Sequence, residues 1–409
     1  MTTYLTTDDI PAVADLLRGG GLAAVPTETV YGLAADATNP AAVARVFEVK
    51  GRPEQKALSV LVPGPGAIDK YCRDVPQGAC ALAERFWPGP LTLVLPSRRL
   101  ECEAVRSGGE TLGLRCPDHP LTLALLEALD FPLAAPSANP SGRESPKTAG
   151  EVLSYFEGQI EAVLDGGPCG LGRESTVFDM SQVPYRVLRQ GALPEADVAQ
   201  CLRGSLTVVG LTGGSGSGKT TALRVLEDLG ALILDADRVY HELTVSSAPM
   251  REELTARFGP VYTGSVLDRK ALAAVVFSDP AALLDLNRIT HKYVQAEIEA
   301  RLRSHAMAGG TLAAIDAIGL LDIDAGRQTS FNVAVTAPLE DRVARLTRRD
   351  GIPAEAARAR IAAQHSDDWF REKCDYTLHN GGDRAAFEQQ CISFFTEVLH
   401  TNDRPKQDQ

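Results

Sequence analysis

The chain has 409 residues, with 41 Lys and Arg against 53 Asp and Glu, a formal net charge of −12, 44% hydrophobic and 23% charged residues. Such a length exceeds one ordinary core, so two domains are expected, and the acidic balance, repeated within the first half, argues against an extensive nucleic-acid footprint. No apolar run reaches membrane-spanning length, Asp8 and Asp9 stand where a leader would be basic, and the eight cysteines form no C-x-x-C pair and have no His at metal spacing, so a soluble cytoplasmic protein with reduced thiols is expected.

Ile10 to Leu17 has helical spacing and stops at Gly19-Gly20-Gly21, after which Leu22 to Val25 reads as a short buried strand. That strand runs into Pro26-Thr-Glu-Thr-Val-Tyr-Gly32, a set of hydroxyls and a carboxylate at a strand's C-terminal end. Ala41 to Val49 is helix-like and delivers Lys50-Gly-Arg-Pro-Glu-Gln-Lys56. Lys50, Arg52 and Lys56 can converge from a loop onto a polyphosphate, or stand on a solvated surface loop. Trp87-Pro-Gly-Pro90 is a rigid turn into the strand Leu91 to Leu95, and Thr111 to Arg115 is a strand ending in a cation. Leu133 to Asn139, Gly172 to Val177 and Val187 to Ala192 likewise end or begin in Ser, Thr, Asn or Arg, so one lined cavity is expected. Gln190 to Ser205 is expected to be a linker.

At mid-chain, Leu206 to Thr221 joins an apolar strand (Val208, Val209, Leu211) to a helix-period segment (Leu223, Leu226, Leu229) through Gly213, Gly214, Gly216, Ser217, Gly218, Lys219, Thr220 and Thr221. This fills G-x-x-x-x-G-K-[ST] in its required strand–helix context. The glycines let backbone N–H groups converge on phosphate oxygens, Lys219 meets the outer phosphates, and the Thr220 hydroxyl is placed for Mg²⁺. ATP and Mg²⁺ are therefore expected. Ala231 to Leu234 is a second buried strand, ending in Asp235-Ala-Asp237 with His241 a turn further on; the two carboxylates can serve chemistry beside the phosphate loop or cap the next helix. Leu312 to Ile315 and Val333 to Thr336 add strands towards a parallel sheet of about five. From Leu339 to Arg349 a helical pattern places Arg342, Arg345 and Arg349 on one face, either an arginine-bearing lid over ATP or a solvated face.

Pro-Thr-Glu-Thr-Val-Tyr-Gly, Lys-x-Arg-x-x-x-Lys, Phe-Trp-Pro-Gly-Pro-Leu-Thr, Pro-Ser-Ala-Asn and Glu-Ser-Thr-Val occur in that order, and residues from about 5 to 195 resemble the threonylcarbamoyl-AMP synthase family of the YrdC/Sua5 type. The resemblance implies a twisted, open α/β sheet around a concave cavity, and condensation of ATP, bicarbonate and L-threonine into threonylcarbamoyl-adenylate and diphosphate, feeding a tRNA-modifying machinery. It places Arg52, Lys56, Thr111, Ser137, Ser145 and Arg189 at ATP, and Thr29, Arg115 and Ser175 at threonine. Ala57 departs from the proline usual after the lysine.

Residues 206 to about 395 resemble dephospho-CoA kinase, on the phosphate loop, Asp-Ala-Asp, Leu267-Asp-Arg-Lys-Ala-Leu272, Val276-Phe277, Arg349-Asp-Gly351, Arg360-Ile-Ala-Ala-Gln364 and Asn380. That resemblance implies a P-loop kinase with a parallel sheet flanked by helices, transferring phosphate to the ribose 3′-hydroxyl of dephospho-CoA, with Asp237 as base, Lys219 and its loop at ATP, and the arginines of 340–370 in a lid. Lys292 replaces a proline after His291, and Asp316 to Asp322 departs from Asp-x-Pro-Leu-Leu-Phe-Glu. The expected domains are 1–200 and 205–409, both acting on small molecules without membrane or strong nucleic-acid contact. Two alternatives stay open: a first half that is a non-catalytic RNA-binding or regulatory module, and a second half that is a generic nucleotide kinase.

Overall fold

The computed structural model describes residues 1–98, 103–276, 278–317, 320 and 328–402. The features expected at Phe277, at Asp322 and in the tail beyond 402 lie outside them. The chain divides into two compact units, Met1–Ser205 with Met307–Gly309, and Leu206–Ala306 with Gly310–Gln409.

In chain order the first unit contains β1 (Thr3–Leu5), α1 (Ile10–Arg18), β2 (Ala23–Val25), β3 (Gly32–Asp36), α2 (Pro40–Lys50), β4 (Ser59–Leu61), α3 (Ala67–Tyr71), α4 (Gln77–Phe86), β5 (Leu91–Pro96), β6 (Thr111–Arg115), α5 (Pro120–Ala128), β7 (Leu133–Ala134), α6 (Ala149–Phe156), β8 (Ala162–Leu164), β9 (Thr176–Asp179), β10 (Arg186–Arg189) and α7 (Glu195–Gly204). The strands form one mixed ten-stranded sheet in the order β1-β8-β2-β3-β7-β4-β6-β5-β9-β10. Apolar spacing on α1 buries Val13, Ala14 and Leu17 against Leu121, Leu125 and Leu126 of α5 and the sheet residues Ala23, Val25 and Leu164. Local chemistry then aims the functional loops. The Asn39 side chain accepts from the Ala41 and Ala42 amides at 3.0 and 3.3 Å to start α2, Pro40 takes its first turn, and Gly51 at φ +56° ends it, releasing the chain into the Arg52 loop.

The expected linker departs from this expectation, because most of it is the helix α7. Pro194 opens it, Glu195 and Asp197 complement its N-terminal dipole, and Val198 and Leu202, four residues apart, are buried within the first unit. Leu202 lies so close to Gly78 of α4 that a Cβ on Gly78 would fall 2.7 Å from it. A fragment ending at residue 200 therefore loses Leu202 and the last turn of α7. We expect residues 1–205 to unfold at a higher temperature than residues 1–200, by several degrees for about 2 kcal/mol of lost burial; equal melting temperatures would show that α7 adds nothing to this unit.

The second unit contains β11 (Thr207–Thr212), α8 (Lys219–Asp228), β12 (Leu232–Asp235), α9 (Ala236–Ser246), α10 (Ala248–Phe258), β13 (Tyr262–Thr263), β14 (Val266–Leu267), α11 (Arg269–Val276), α12 (Pro280–Met307), β15 (Leu312–Asp316), β16 (Phe331–Thr336), α13 (Leu339–Asp350), α14 (Ala354–Ala362), α15 (Asp367–Lys373), β17 (Tyr376–His379) and α16 (Arg384–Asn402). Its main sheet is five-stranded and parallel, in the order β12-β15-β11-β16-β17. The strand β11 is central, and alternate residues serve opposite faces: Val209 and Leu211 pack with α8 and α16, while Val208 packs with α9 and α12. Lys292 explains one departure from the family pattern, since α12 runs unbroken through it where a proline would remove a helical hydrogen bond. Its ammonium pairs with Glu253 at 2.6 Å, and the Tyr293 hydroxyl donates to the same carboxylate at 3.0 Å. No described helix is long and apolar enough to cross a membrane.

Candidate active sites

In the first unit, five of the residues singled out in the sequence line one cavity of about 120 Å³: Arg52, Arg115, Ser137, Ser175 and Arg189. Arg115 and Arg189 end strands β6 and β10, Ser137 follows β7, Ser175 immediately precedes β9 and Arg52 follows the end of α2, which brings residues up to 137 positions apart together. Thr29 adjoins them, its hydroxyl accepting from Arg115 Nη2 at 2.8 Å. Ser145 reaches the cavity through Glu174, to whose Oε1 it donates at 2.8 Å. Arg189 donates through Nε and Nη2 to the Ser175 carbonyl at 3.1 and 2.9 Å and pairs through Nη1 with Glu174 at 2.5 Å. Ser175 Oγ also shares a hydrogen bond with Thr92 Oγ1 at 2.9 Å.

The electrostatics favour an anion. Burial lowers the pKa of Arg52 and Arg189; next come the repulsion of Arg189 on Arg52, and, on Arg189, the opposing pull of Glu174 ahead of repulsion by Arg115. Three guanidinium groups thus share one cavity with a single lining carboxylate, Glu174, and a guanidinium keeps its charge inside proteins. A polyanion relieves that repulsion. Arg115 is further fixed by Nε donating to the Gly89 carbonyl at 3.2 Å and by a 2.7 Å pair with Glu28, both side chains being largely buried. Glu28 and Glu174 were not singled out as site residues; their signal was a carboxylate inside each hydroxyl-rich segment.

The other two predicted residues are placed apart. Lys56 is exposed on the loop whose carbonyls, at Lys56 and Ala57, accept from the Arg52 guanidinium at 3.0 and 2.9 Å. Thr111 opens β6 and lines a second cavity, four residues and about 13 Å along the strand from Arg115.

The three cations of the Lys50 to Lys56 segment do not converge. Lys50 is 3% exposed and turned inward, its Nζ donating to the carbonyls of Ser137 and Asn139. It thereby ties the end of α2 to the loop that carries Ser137. Burial, with the nearby Arg52 adding to it and Glu174 opposing, pushes the Lys50 ammonium down to about 8. A neutral amine keeps two N–H donors, enough for both carbonyls. An unfolded lysine holds its proton to about 10.5, so between pH 8 and 10.5 the unfolded chain binds more protons and stability rises with pH; below 8 the cost of the buried charge is fully present. Urea midpoints of the protein should climb relative to those of Lys50→Met between pH 7.5 and 10, whereas parallel curves would contradict the shift.

In the second unit the phosphate loop links β11 to α8. Gly213 has φ +136° with the Val335 carbonyl against the position a Cβ would take, and Gly218 has φ +108°, so neither site accepts a side chain without strain. Lys219 opens α8, its Nζ donating to the Gly213 carbonyl at 3.3 Å and lying 3.4 Å from Asp316 Oδ1. The Thr220 side chain, one residue on, is exposed, and Thr221 is partly buried. Asp316 closes β15 beside Asp235 at the end of β12. Burial raises its pKa; Lys219 opposes this, and Asp235 and Asp237 add to it. Asp235 is the helix cap, its Oδ1 accepting from the amides of Asp237 and Arg238 at 2.9 and 3.1 Å, while Asp237 stands exposed in the first turn of α9. In the sequence Asp316 is the acid that ends a buried strand and opens the segment departing from the kinase pattern; in the fold it stands beside Lys219.

The arginines of 340–370 divide. Arg342 and Arg345 turn under the phosphate loop. Arg349 and Arg360 both pair with Asp350, at 2.7 and 2.9 Å, and Arg358 pairs with Glu340 at 2.8 Å. These last three pairs stand at the surface, where solvent screening leaves them little net stabilisation.

A parallel sheet with a glycine loop and lysine at the end of its central strand defines the second unit as a P-loop nucleotide-binding fold; the first presents an anion-binding cavity on a mixed sheet. The Sua5/YciO/YrdC family model, described as telomere recombination, matches residues 15–191, and the dephospho-CoA kinase model matches residues 207–385. A threonylcarbamoyl-AMP synthase of Pyrococcus abyssi is 42% identical over 193 residues, 47% of this chain and 57% of that protein. One from Halorhodospira halophila is 37% identical over 163 residues, 40% of this chain and 85% of that protein. A dephospho-CoA kinase of Syntrophotalea carbinolica is 33% identical over 196 residues, 47% of this chain and 93% of that protein. The chain belongs to the Sua5/YciO/YrdC family through its first half and to the dephospho-CoA kinase family through its second. It spans a little over half the length of the Pyrococcus relative.

Proposed function

We propose that the chain is a bifunctional enzyme with separate ATP sites. The first unit condenses L-threonine, bicarbonate and ATP into threonylcarbamoyl-AMP and diphosphate; the second transfers the γ-phosphate of ATP to the 3′-hydroxyl of dephospho-CoA. The observation that carries the first reading is the meeting of Arg52, Arg115 and Arg189 with Ser137 and Ser175 in one cavity. Arg115 suits an amino-acid carboxylate, Thr29 and Ser175 suit its hydroxyl end, and Arg52 and Arg189 suit the triphosphate. Ser145, Lys56 and Thr111 complete the ATP set in this reading, with Thr111 at the far end of an extended adenylate. The threonine amine attacks CO₂ or bicarbonate, and the carbamate oxygen attacks the α-phosphorus as diphosphate departs. The chain's own contribution is alignment and charge stabilisation.

For the second unit the carrying observation is Lys219 at 3.4 Å from Asp316 on the phosphate loop. Lys219 stabilises the transferring phosphoryl group, and Asp237 takes the proton of the acceptor hydroxyl. The residues present fit Mg²⁺: Asp316 Oδ1 is buried beside the loop with the Lys219 ammonium 3.4 Å away, and the Thr220 hydroxyl is exposed at the start of α8. Bound there, the ion would offset charge on the β- and γ-phosphates. The described cysteines are free, which supports a reducing, cytoplasmic setting, and the acidic chain passes its adenylate to a separate tRNA-modifying machinery without holding the nucleic acid itself.

Product analysis of the whole chain tests both halves, with ATP, Mg²⁺ and either dephospho-CoA or L-threonine with bicarbonate. ADP with CoA is expected in the first mixture, and diphosphate with threonylcarbamoyl-AMP in the second. ADP and CoA alone would sink the synthase reading in favour of a binding module; ADP formed with nucleosides and not with dephospho-CoA would replace the acceptor.

A further inference from the structure

The phosphate loop is gripped from outside by side chains that do not belong to it. Arg342 of α13 is 4% exposed, yet it is a cation beneath a loop. Its Nε donates to the Ser215 carbonyl at 3.0 Å and its Nη1 pairs with Asp367 of α15 at 3.1 Å. Its Nη2 is buried without an acceptor and lies against Gly214, where any Cβ would collide with it. Arg345, one turn along, donates from Nη1 to the carbonyls of Gly216 and Ser217 at 3.1 and 3.2 Å and from Nη2 to Asn380 Oδ1 at 3.2 Å. Asn380 Nδ2 donates to the Ser217 carbonyl at 2.8 Å. Gln364 holds Ser215 twice, accepting from its amide at 2.8 Å and donating to its hydroxyl at 2.9 Å.

Three consecutive carbonyls, from Ser215 to Ser217, are therefore taken by donors from α13 and the segment after β17. A phosphate group approaching such a loop is attracted by amide dipoles and repelled by carbonyl oxygens. Two guanidinium groups on those oxygens remove the repulsion and fix which way the peptide planes face. Placing an arginine where it is stripped of water is costly, and Arg342 recovers only one ion pair and one carbonyl contact for it. A purely structural strut at that position could be apolar.

We propose that Arg342 is a positioning residue for nucleotide binding: with Asp367 behind it, it sets the carbonyls of the phosphate loop away from the triphosphate and lends the loop its charge. The proposal rests on the reading of the second unit as an ATP-using kinase, and it makes Arg342 a fixed part of the floor of the site. A lid arginine would be free to leave.

The test uses the full chain with a fluorescent ATP analogue and Mg²⁺, with steady-state ATP kinetics alongside. Arg342→Ala should weaken binding of the analogue about tenfold to a hundredfold, the equivalent of one or two charge-assisted hydrogen bonds. Arg342→Lys, which keeps the charge and loses the planar fork, should still be weakened about tenfold, and millimolar guanidinium should restore part of the Ala variant's affinity. In both, KM for ATP should rise while kcat at saturating ATP stays within about threefold. Asp367→Asn should weaken binding less, and should add nothing in the double variant. The proposal fails if a folded Arg342→Lys binds the analogue within about twofold of the native chain, or if the loss falls on kcat alone. Should Arg342→Ala not fold, Arg342→Lys and Asp367→Asn still decide. A native chain that binds the analogue and makes no CoA overturns the acceptor reading while leaving this one to be judged on binding.

Discussion

Lys219→Ala is expected to lower phosphoryl transfer to dephospho-CoA by about 10³-fold or more, the scale seen when a preorganised cation is removed from a developing phosphoryl charge, which corresponds to about 4 kcal/mol of transition-state stabilisation. Synthesis of threonylcarbamoyl-AMP by the same molecule should be unchanged. The expectation follows from position. Lys219 is the first residue of α8, so its stem is anchored by the helix and its ammonium is held at the loop mouth between the Gly213 carbonyl and Asp316. Its removal also leaves Asp316 with only repulsive neighbours. Burial already raises that carboxyl, Lys219 is what opposes the rise, and Asp235 and Asp237 push the same way as burial. The Ala variant should therefore retain a proton on Asp316 to higher pH than the native chain, and Asp316→Asn should remove that difference. Loss of both activities in a folded Lys219→Ala chain would contradict two separate sites.

Arg115→Ala should have the second largest effect, on the other activity. Arg115 is 6% exposed, and its partner Glu28, 2.7 Å away, is largely buried. Truncation leaves that carboxylate without its counter-charge, which costs about 3–5 kcal/mol of stability in the first unit. Threonylcarbamoyl-AMP formation should fall at least a hundredfold, with most of the loss in KM for threonine if the arginine meets the amino-acid carboxylate. Arg115→Lys separates the causes: it keeps a positive charge for Glu28 but not the fork to Thr29 and Gly89, so it should recover most of the stability and little of the threonine affinity. Full threonine affinity in a folded Arg115→Ala chain would remove Arg115 from the substrate site. Kinase turnover at ordinary temperature serves as the internal control.

How much of this was legible in the sequence depends on the distance over which each feature is made. The phosphate loop was readable because strand, glycines, lysine and helix are consecutive. Four strands of the parallel sheet were readable from short apolar runs ending in acids or hydroxyls; the edge strand Tyr376–His379, mostly exposed and polar, was not. Lys50 meets neither expectation, a polyphosphate cation or a solvated loop residue, because the carbonyls that draw it inward belong to residues 87 and 89 positions away. Arg342 departs from both expectations, a lid or a solvated face, for a similar reason. Helical spacing groups it with Arg345 and Arg349, and nothing local says that the loop 127 positions earlier would lie on top of it. The segment after Gln190 looked like a linker since its polar residues mask two apolar ones at helical spacing. The carboxylates Glu28 and Glu174 carry no signal as parts of an anion site, since in sequence an acid argues against anion binding, whereas in the fold each holds or restrains one of the cations.

The placement of β11 has a consequence for how the chain is made. It is the central strand of its sheet, yet its neighbours β15 and β16 begin at Leu312 and Phe331, more than a hundred residues later. A ribosome adding about 5–20 residues per second would leave Val208, Val209 and Leu211 outside the exit tunnel for roughly 5–20 s before either neighbour exists. During that interval the nascent strand offers two bare edges and two apolar faces. The polar, glycine-rich loop from Gly213 to Gly218 directly after it interrupts the apolar run, so the loop proposed to hold ATP also shortens the segment on which a nascent chain could aggregate.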